Sequence, residues 1–188
     1  MRYLLIALFT LAASCGGPEL RAADVGGIER LHVAGDIWLS SQPGEADLAM
    51  LRVAGLRHVV DLRAPEEDRG FDERARVESL GLEYTALPWA PGTAPAIAGM
   101  RDLRHLLNRS DGPILVHGGD AQRVGAIWYA VRRLDGGVSA KRALAEARTV
   151  GLTDPQLEKL AELYVQSELA AGLERPPTAL DPSVQTEQ

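Results

Sequence analysis

The chain reads as an α/β domain: a mostly parallel central sheet of about four to five strands, flanked by helices as a three-layer fold. Three observations predict it. Short apolar runs alternate along the chain with segments of helical periodicity, the pattern of strands joined by crossover helices. Gly and Pro punctuate the joins between those segments. The length of 188 residues, with 46% hydrophobic and 24% charged residues, is enough to bury one core and is ordinary for a globular domain.

Taken in order, the amino terminus stands apart from the fold. Met1-Arg2 is basic, and residues 3–13 form an apolar run of about eleven residues, too short to span a bilayer as a stable helix. It ends at Ala12-Ala13-Ser14 and Cys15, the one cysteine of the chain, as a bacterial lipoprotein processing site does; the alternative is an ordinary secretory signal with an unrelated thiol. The expected boundaries are a signal peptide over 1–14 and a lipid-anchor site with a Gly/Ala-rich tether over 15–28. A domain over 29–172 and a polar, Pro-bearing disordered tail over 173–188 follow. An acylated Cys15 would leave no free thiol and would place the domain in the cell envelope, on an outer-membrane lipoprotein facing the periplasm.

Within the domain, short strands are predicted over 31–33 and 37–39, with Gly35 turning between them. A helix over 46–53 carries Leu48, Leu51 and Val53 at helical spacing and ends at Gly55. The run 58–62 is a buried-type strand, 71–80 an amphipathic helix stopped by Gly81, and 82–87 a strand closed by Pro88. Residues 95–107 read as helix with Pro95 in its first turn. Residues 114–116 form the central strand. Three helices complete the domain: 124–134, then 139–150 capped by Ser139, then 155–170 capped by Asp154.

The segment from Ile114 to Gly125 carries the chemistry. An apolar strand ends at His117, a glycine-bearing turn follows, then Arg123 and a helix start. That order aims several backbone N–H groups at one point, beside the positive end of a helix dipole. Arg123 adds a planar fork of donors suited to phosphate or sulfate. An anion-binding loop of Gly118, Gly119, Asp120, Ala121, Gln122 and Arg123 is therefore expected, with Arg63, where the chain leaves the 58–62 strand, as a further candidate. Arg63 has an alternative as the ion-pair partner of Glu66, Glu67 or Asp68. An inward-pointing Asp120 carboxylate would weaken anion binding, by about 1 kcal/mol or more. Trp128 reads as core, and Trp89 as a flank of the site.

This stretch, His117-Gly118-Gly119-Asp120-Ala121-Gln122-Arg123-Val124-Gly125-Ala126-Ile127-Trp128, resembles the His-Cys-x-x-Gly-Asn-Arg-Val-Gly-Ala-x-Trp loop of small bacterial tyrosine/dual-specificity phosphatase-like proteins. Those include the domain fused to beta-lactamase-like hydrolases. The likeness extends to Ile37-Trp38-Leu39-Ser40-Ser41-Gln42-Pro43, to Val59-Val60-Asp61-Leu62-Arg63, and to Gly81-Leu82-Glu83-Tyr84. It covers roughly residues 30–150 and implies a cysteine-phosphatase-like fold. The departures are specific. The resemblance places Gly118 where the family has its nucleophilic cysteine, Ala121 where it has a loop glycine, and Gln122 where it has Asn. The stretch Pro88-Trp89-Ala90-Pro91-Gly92-Thr93 lacks the carboxylate that related enzymes use as general acid. Thiol phosphatases need an ionised sulfur at the base of the loop.

The expectation is a phosphatase-like domain without activity that binds a phosphate- or sulfate-bearing ligand or partner. One alternative is an active phosphomonoesterase with a non-Cys nucleophile such as His117, separated from Arg123 by five residues. The bland reading of His117 is a strand-end residue bonded to the loop backbone. Another alternative is a structural envelope protein. No cofactor is expected. His32, His58 and His105 are scattered in apolar-periodic segments, so no metal site is expected either. The net charge of -6 opposes nucleic-acid binding and acidic membrane surfaces alike, leaving the lipid anchor as the membrane link.

Overall fold

The structure is a computed structural model that describes residues 17–28 and 30–174. Its strands are β1 (Arg21–Ala22), β2 (His32–Ala34), β3 (Ile37–Ser40), β4 (His58–Asp61), β5 (Glu83–Ala86) and β6 (Ile114–His117). Its helices are α1 (Glu45–Val53), α2 (Glu73–Ser79), α3 (Ile97–Arg109), α4 (Gln122–Leu134), α5 (Ala140–Val150) and α6 (Pro155–Glu174). The six strands form one mixed sheet in the order β1-β2-β3-β6-β4-β5. β1, β2 and β3 pair antiparallel, while β3, β6, β4 and β5 run parallel.

Strand β6 lies at the centre because Ile114-Leu115-Val116-His117 is buried on both faces, as a strand covered by helices on two sides must be. Its side chains alternate. Ile114 and Val116 join Val60, Leu103, Ile127 and Trp128 under α3 to α6, while Leu115 joins Val59, Leu48, Leu51 and Val77 under α1 and α2. The parallel register aligns Ser40, His117 and Asp61 across β3, β6 and β4 at the carboxyl edge of the sheet. Ligands of open α/β sheets collect at that edge.

Several expectations shift in detail. The sheet has six strands rather than four to five. The extra one, β1, lies in the segment expected as a tether. Residues 17–28 instead run along the domain: Ala23, Val25 and Ile28 pack on the second core cluster, and Gly27 N–H donates to Asp47 Oδ1 at 2.9 Å. Apolar residues at this spacing are too few for a periodicity signal but enough to hold an edge strand. Pro95 precedes α3 rather than entering it; the N-cap is Ala96. Helix α4 starts two residues earlier than expected, at Gln122, and α6 continues to Glu174. Gly35 turns β2 into β3 with φ +62°, and Ser139 and Asp154 accept N-terminal amides of α5 and α6. The expected signal peptide, Cys15 and residues 175–188 lie outside the described residues. Among the described residues no helix is long and apolar enough to cross a membrane.

Candidate functional site

The loop between β6 and α4 is shaped by one residue in an unfavourable conformation. Ala121 has φ +62°, in the left-handed region, at an expense of about 1–2 kcal/mol for a residue with a Cβ. Its methyl is fully buried, and the space is shared with Gly151, where a Cβ would come within 3.0 Å of it. Gly118 and Gly119 adopt no left-handed φ. A Cβ on Gly118 would meet nothing closer than 3.7 Å, so the position has room for a side chain.

Arg123 is buried, and its guanidinium is fixed along one edge. Nη1 and Nη2 donate to the two carboxylate oxygens of Glu67 at 2.6 Å each, and Nη1 also donates to the Trp89 carbonyl at 2.5 Å. The other edge, Nε with Nη2, faces Gly118: a Cβ there would stand 3.8 and 3.7 Å away. Glu67 is thus the strut that aims Arg123 at the base of the loop. It also closes its own turn by accepting the Ala64 N–H at 2.7 Å. Burial alone would raise the Glu67 carboxyl, but hydrogen bonds from Arg123 and Ala64 outweigh it and hold the group below its usual range.

The remaining loop residues are placed differently from the expectation. Among the described residues Asp120 forms no ion pair; it turns its carboxylate to its own helix, accepting the Gln122 N–H at 3.1 Å. That consumes one of the amides the loop would offer a ligand. The Gln122 side chain is spent on the α5–α6 connection, accepting from Thr153 N–H (2.8 Å) and Asp154 N–H (3.1 Å) and donating to Thr153 Oγ1 (2.8 Å). Trp89 contributes its carbonyl alone, because its ring is buried and its Nε1 donates to Thr93 O at 2.8 Å.

Arg63 does not face the anion seat. It is fully buried and bound to Asp61, through Nε (2.9 Å) and Nη2 (3.0 Å), and through Nη2 to Glu73, rather than to Glu66, Glu67 or Asp68. Asp61 ends β4 and Arg63 lies two residues further on, so the two are neighbours along the chain, although no sequence pattern singles out this pairing. Glu73 was missed, since nothing in the sequence brings the first turn of α2 to the end of β4. His117 is fully buried with Nε2 3.2 Å from Glu73 Oε1, and makes no hydrogen bond to the loop backbone. Asp61, Glu73 and His117 have the donor types of a metal site and lie within 4.8 Å of one another. Yet the Asp61 oxygens already accept from Arg63 N–H, Nε and Nη2, from Arg69 Nε and from the Tyr84 hydroxyl. Their lone pairs are saturated, and the cation of the cluster is the Arg63 guanidinium. Those contacts carry the Asp61 carboxyl well below the usual range despite burial, and hold the Tyr84 phenol, already raised by burial, at about 12. His58 is buried beside Thr85 and His32 is buried, while His105 is exposed.

Solved structures that share this architecture include TpbA, Tk-PTP and a putative phosphatase. P. aeruginosa TpbA superposes with TM-score 0.64 at 22% identity, covering 86% of this chain and 95% of its own. A putative phosphatase from Shewanella putrefaciens CN-32 gives 0.64 at 20% identity, covering 75% and 94%. Tk-PTP in its active form gives 0.62 at 20%, covering 70% and 92%. At these identities the likeness establishes the cysteine-phosphatase-like α/β fold. No protein-family model matches the chain, and no curated protein does.

Proposed function

We propose that this chain is a non-catalytic, phosphatase-like binding domain. Its Arg123 seat would hold a phosphate- or sulfate-bearing ligand or partner, and Cys15 would anchor it in the cell envelope. On this reading it is a degenerate relative of the bacterial phosphatases, with Gly118 at the nucleophile position. One observation carries it: the Nε–Nη2 edge of Arg123 is braced by Glu67 toward Gly118, where space for a side chain exists and no sulfur stands. A tetrahedral oxyanion there would meet a guanidinium edge and the start of α4, but nothing that attacks phosphorus. A variant of TpbA crystallised with pTyr supports a phosphoester as the class of ligand. The charge of Arg123 is shared with Glu67, so affinity in the millimolar to high-micromolar range is expected. The alternative nucleophile, His117, is fully buried against Glu73, which counts against phosphohistidine chemistry.

Titration of the purified protein with phosphate, sulfate and vanadate, followed by calorimetry or amide chemical shifts, tests this. Binding should fall at least tenfold, about 1.4 kcal/mol, in a folded Arg123→Ala variant. No anion bound at millimolar concentration would reduce the domain to a scaffold. Hydrolysis of an aryl phosphate by the unmodified chain, lost in His117→Ala, would overturn the non-catalytic reading. Gly118→Cys should fold without strain and give a thiol that alkylates faster near neutral pH than an ordinary cysteine, being set beside Arg123 and a helix N-terminus.

A further inference from the structure

The loop that carries the seat is also a ridge between two hollows. On one side, about 350 Å³ opens over Arg123, Glu67, Gly92 and Asp154. On the other, about 440 Å³ is lined by Gly27, Arg30, Ser41, Gln42, Gly119 and Asp120. Gly119, Asp120 and Gln122 border both, so a ligand seated at Arg123 can reach across the ridge. The second hollow is bordered by an arginine of its own, Arg30. Arg123, Arg63 and Arg69 are bound to carboxylates, but Arg30 has no hydrogen bond or ion pair from its side chain among the described residues. Its backbone is held in place from both sides. Gly27 N–H is tied to Asp47, Ala23 N–H to Leu31 O, and the Arg30 carbonyl lies 3.0 Å from His32 Nδ1. Arg30 keeps a left-handed φ of +57° in that turn, a conformation unfavourable for a residue with a side chain. The carboxylate nearest it on the ridge, Asp120, is committed to the Gln122 amide.

We infer that the site takes a ligand with two anionic groups, one at Arg123 and the second, a phosphate or carboxylate, at Arg30 across the Gly119–Gln122 ridge. The inference rests on the anion-seat reading above and adds its ligand class. An exposed guanidinium without a partner retains its full donor set for such a group, and tethering the second group to the first replaces a weak bimolecular contact with an intramolecular one.

The test compares inorganic phosphate with ethane-, butane- and hexane-diyl bisphosphates on wild type, Arg30→Ala and Arg30→Lys. Wild type should bind one chain length about tenfold more tightly than phosphate, beyond a roughly twofold statistical gain. Arg30→Ala should lose that advantage while keeping its phosphate affinity, and Arg30→Lys should recover part of it. Phosphate binding with no bisphosphate advantage at any length overturns this inference and leaves the seat intact. An advantage that survives Arg30→Ala overturns it too. Absence of phosphate binding altogether sinks the seat itself, and this inference with it.

Discussion

A carboxylate buried beside a guanidinium differs from one in water, because removing either partner strands an uncompensated charge. Glu73, Arg63 and Asp61 form such a chain, with all three side chains fully buried. Arg63→Ala, which leaves both buried carboxylates without their shared cation, should therefore destabilise the fold by about 3–5 kcal/mol, read as a shift of the urea midpoint with an unchanged slope. An effect under about 1 kcal/mol would mean that Arg69 and His117 compensate the two carboxylates. Glu67 gives the opposite kind of forecast, because it is partly exposed and its role is to aim Arg123. Glu67→Gln keeps a hydrogen-bond acceptor and removes a charge close to the seat. Phosphate should bind several-fold more tightly in that variant at pH 7, checked by the same titration. Weaker binding would show that bracing Arg123 outweighs the repulsion.

Two helical glycines illustrate what helix packing adds to propensity. Gly125, in the buried helix α4, lies where a Cβ would come within 2.7 Å of the Ala147 carbonyl and 2.8 Å of Leu152, so α4 meets α5 and the turn after it in direct backbone contact. Gly125→Ala should lower stability by about 1–3 kcal/mol through overpacking. Gly99, in α3, would place a Cβ no closer than 4.0 Å to anything. Gly99→Ala should raise stability by about 0.5–1 kcal/mol, since it restrains the unfolded chain. Thermal melts of both variants, side by side, check the pair; the same sign in both would contradict the packing described here. The sequence shows two glycines in helical segments and no difference between them. Only the position of α5 separates their roles.

For the molecule as a whole, pH response follows from the buried cluster. Asp61 and Glu67 are held below their ordinary range in the fold, so their contribution is present above about pH 4–5 and is lost as pH falls through their folded values. Tyr84 is shifted the other way, to about 12, so its contribution holds below about pH 10 and is lost as pH rises toward 12. Urea midpoints should fall at both ends and stay flat between about pH 7 and 9, because His58, held down by burial, adds a further loss of stability as pH falls below about 6.5. A profile still rising as pH drops from 5 to 3 would contradict the assignment. Residues 17–28 matter at this scale as well. A chain beginning at residue 30 would bare the β2 edge and uncover Leu31, Val33 and Trp38, and should melt lower and self-associate, as sedimentation would show.

Local patterning of the sequence determined the alternation of strands and helices, the central Ile114–His117 strand, the Arg123 helix start and the absence of a sulfur at Gly118. Each is a property of neighbours along the chain: side-chain period, glycine at turns, the identity of one residue. Tertiary structure alone decided that Arg63 turns to Asp61 and Glu73 and that Glu67, 56 residues before Arg123, braces it. It alone spent Gln122 on the α5–α6 connection and brought Arg30 beside the loop. Charged side chains choose partners by proximity after the backbone has closed, and an arginine beside several carboxylates in sequence carries no signal of which one the fold will bring to it.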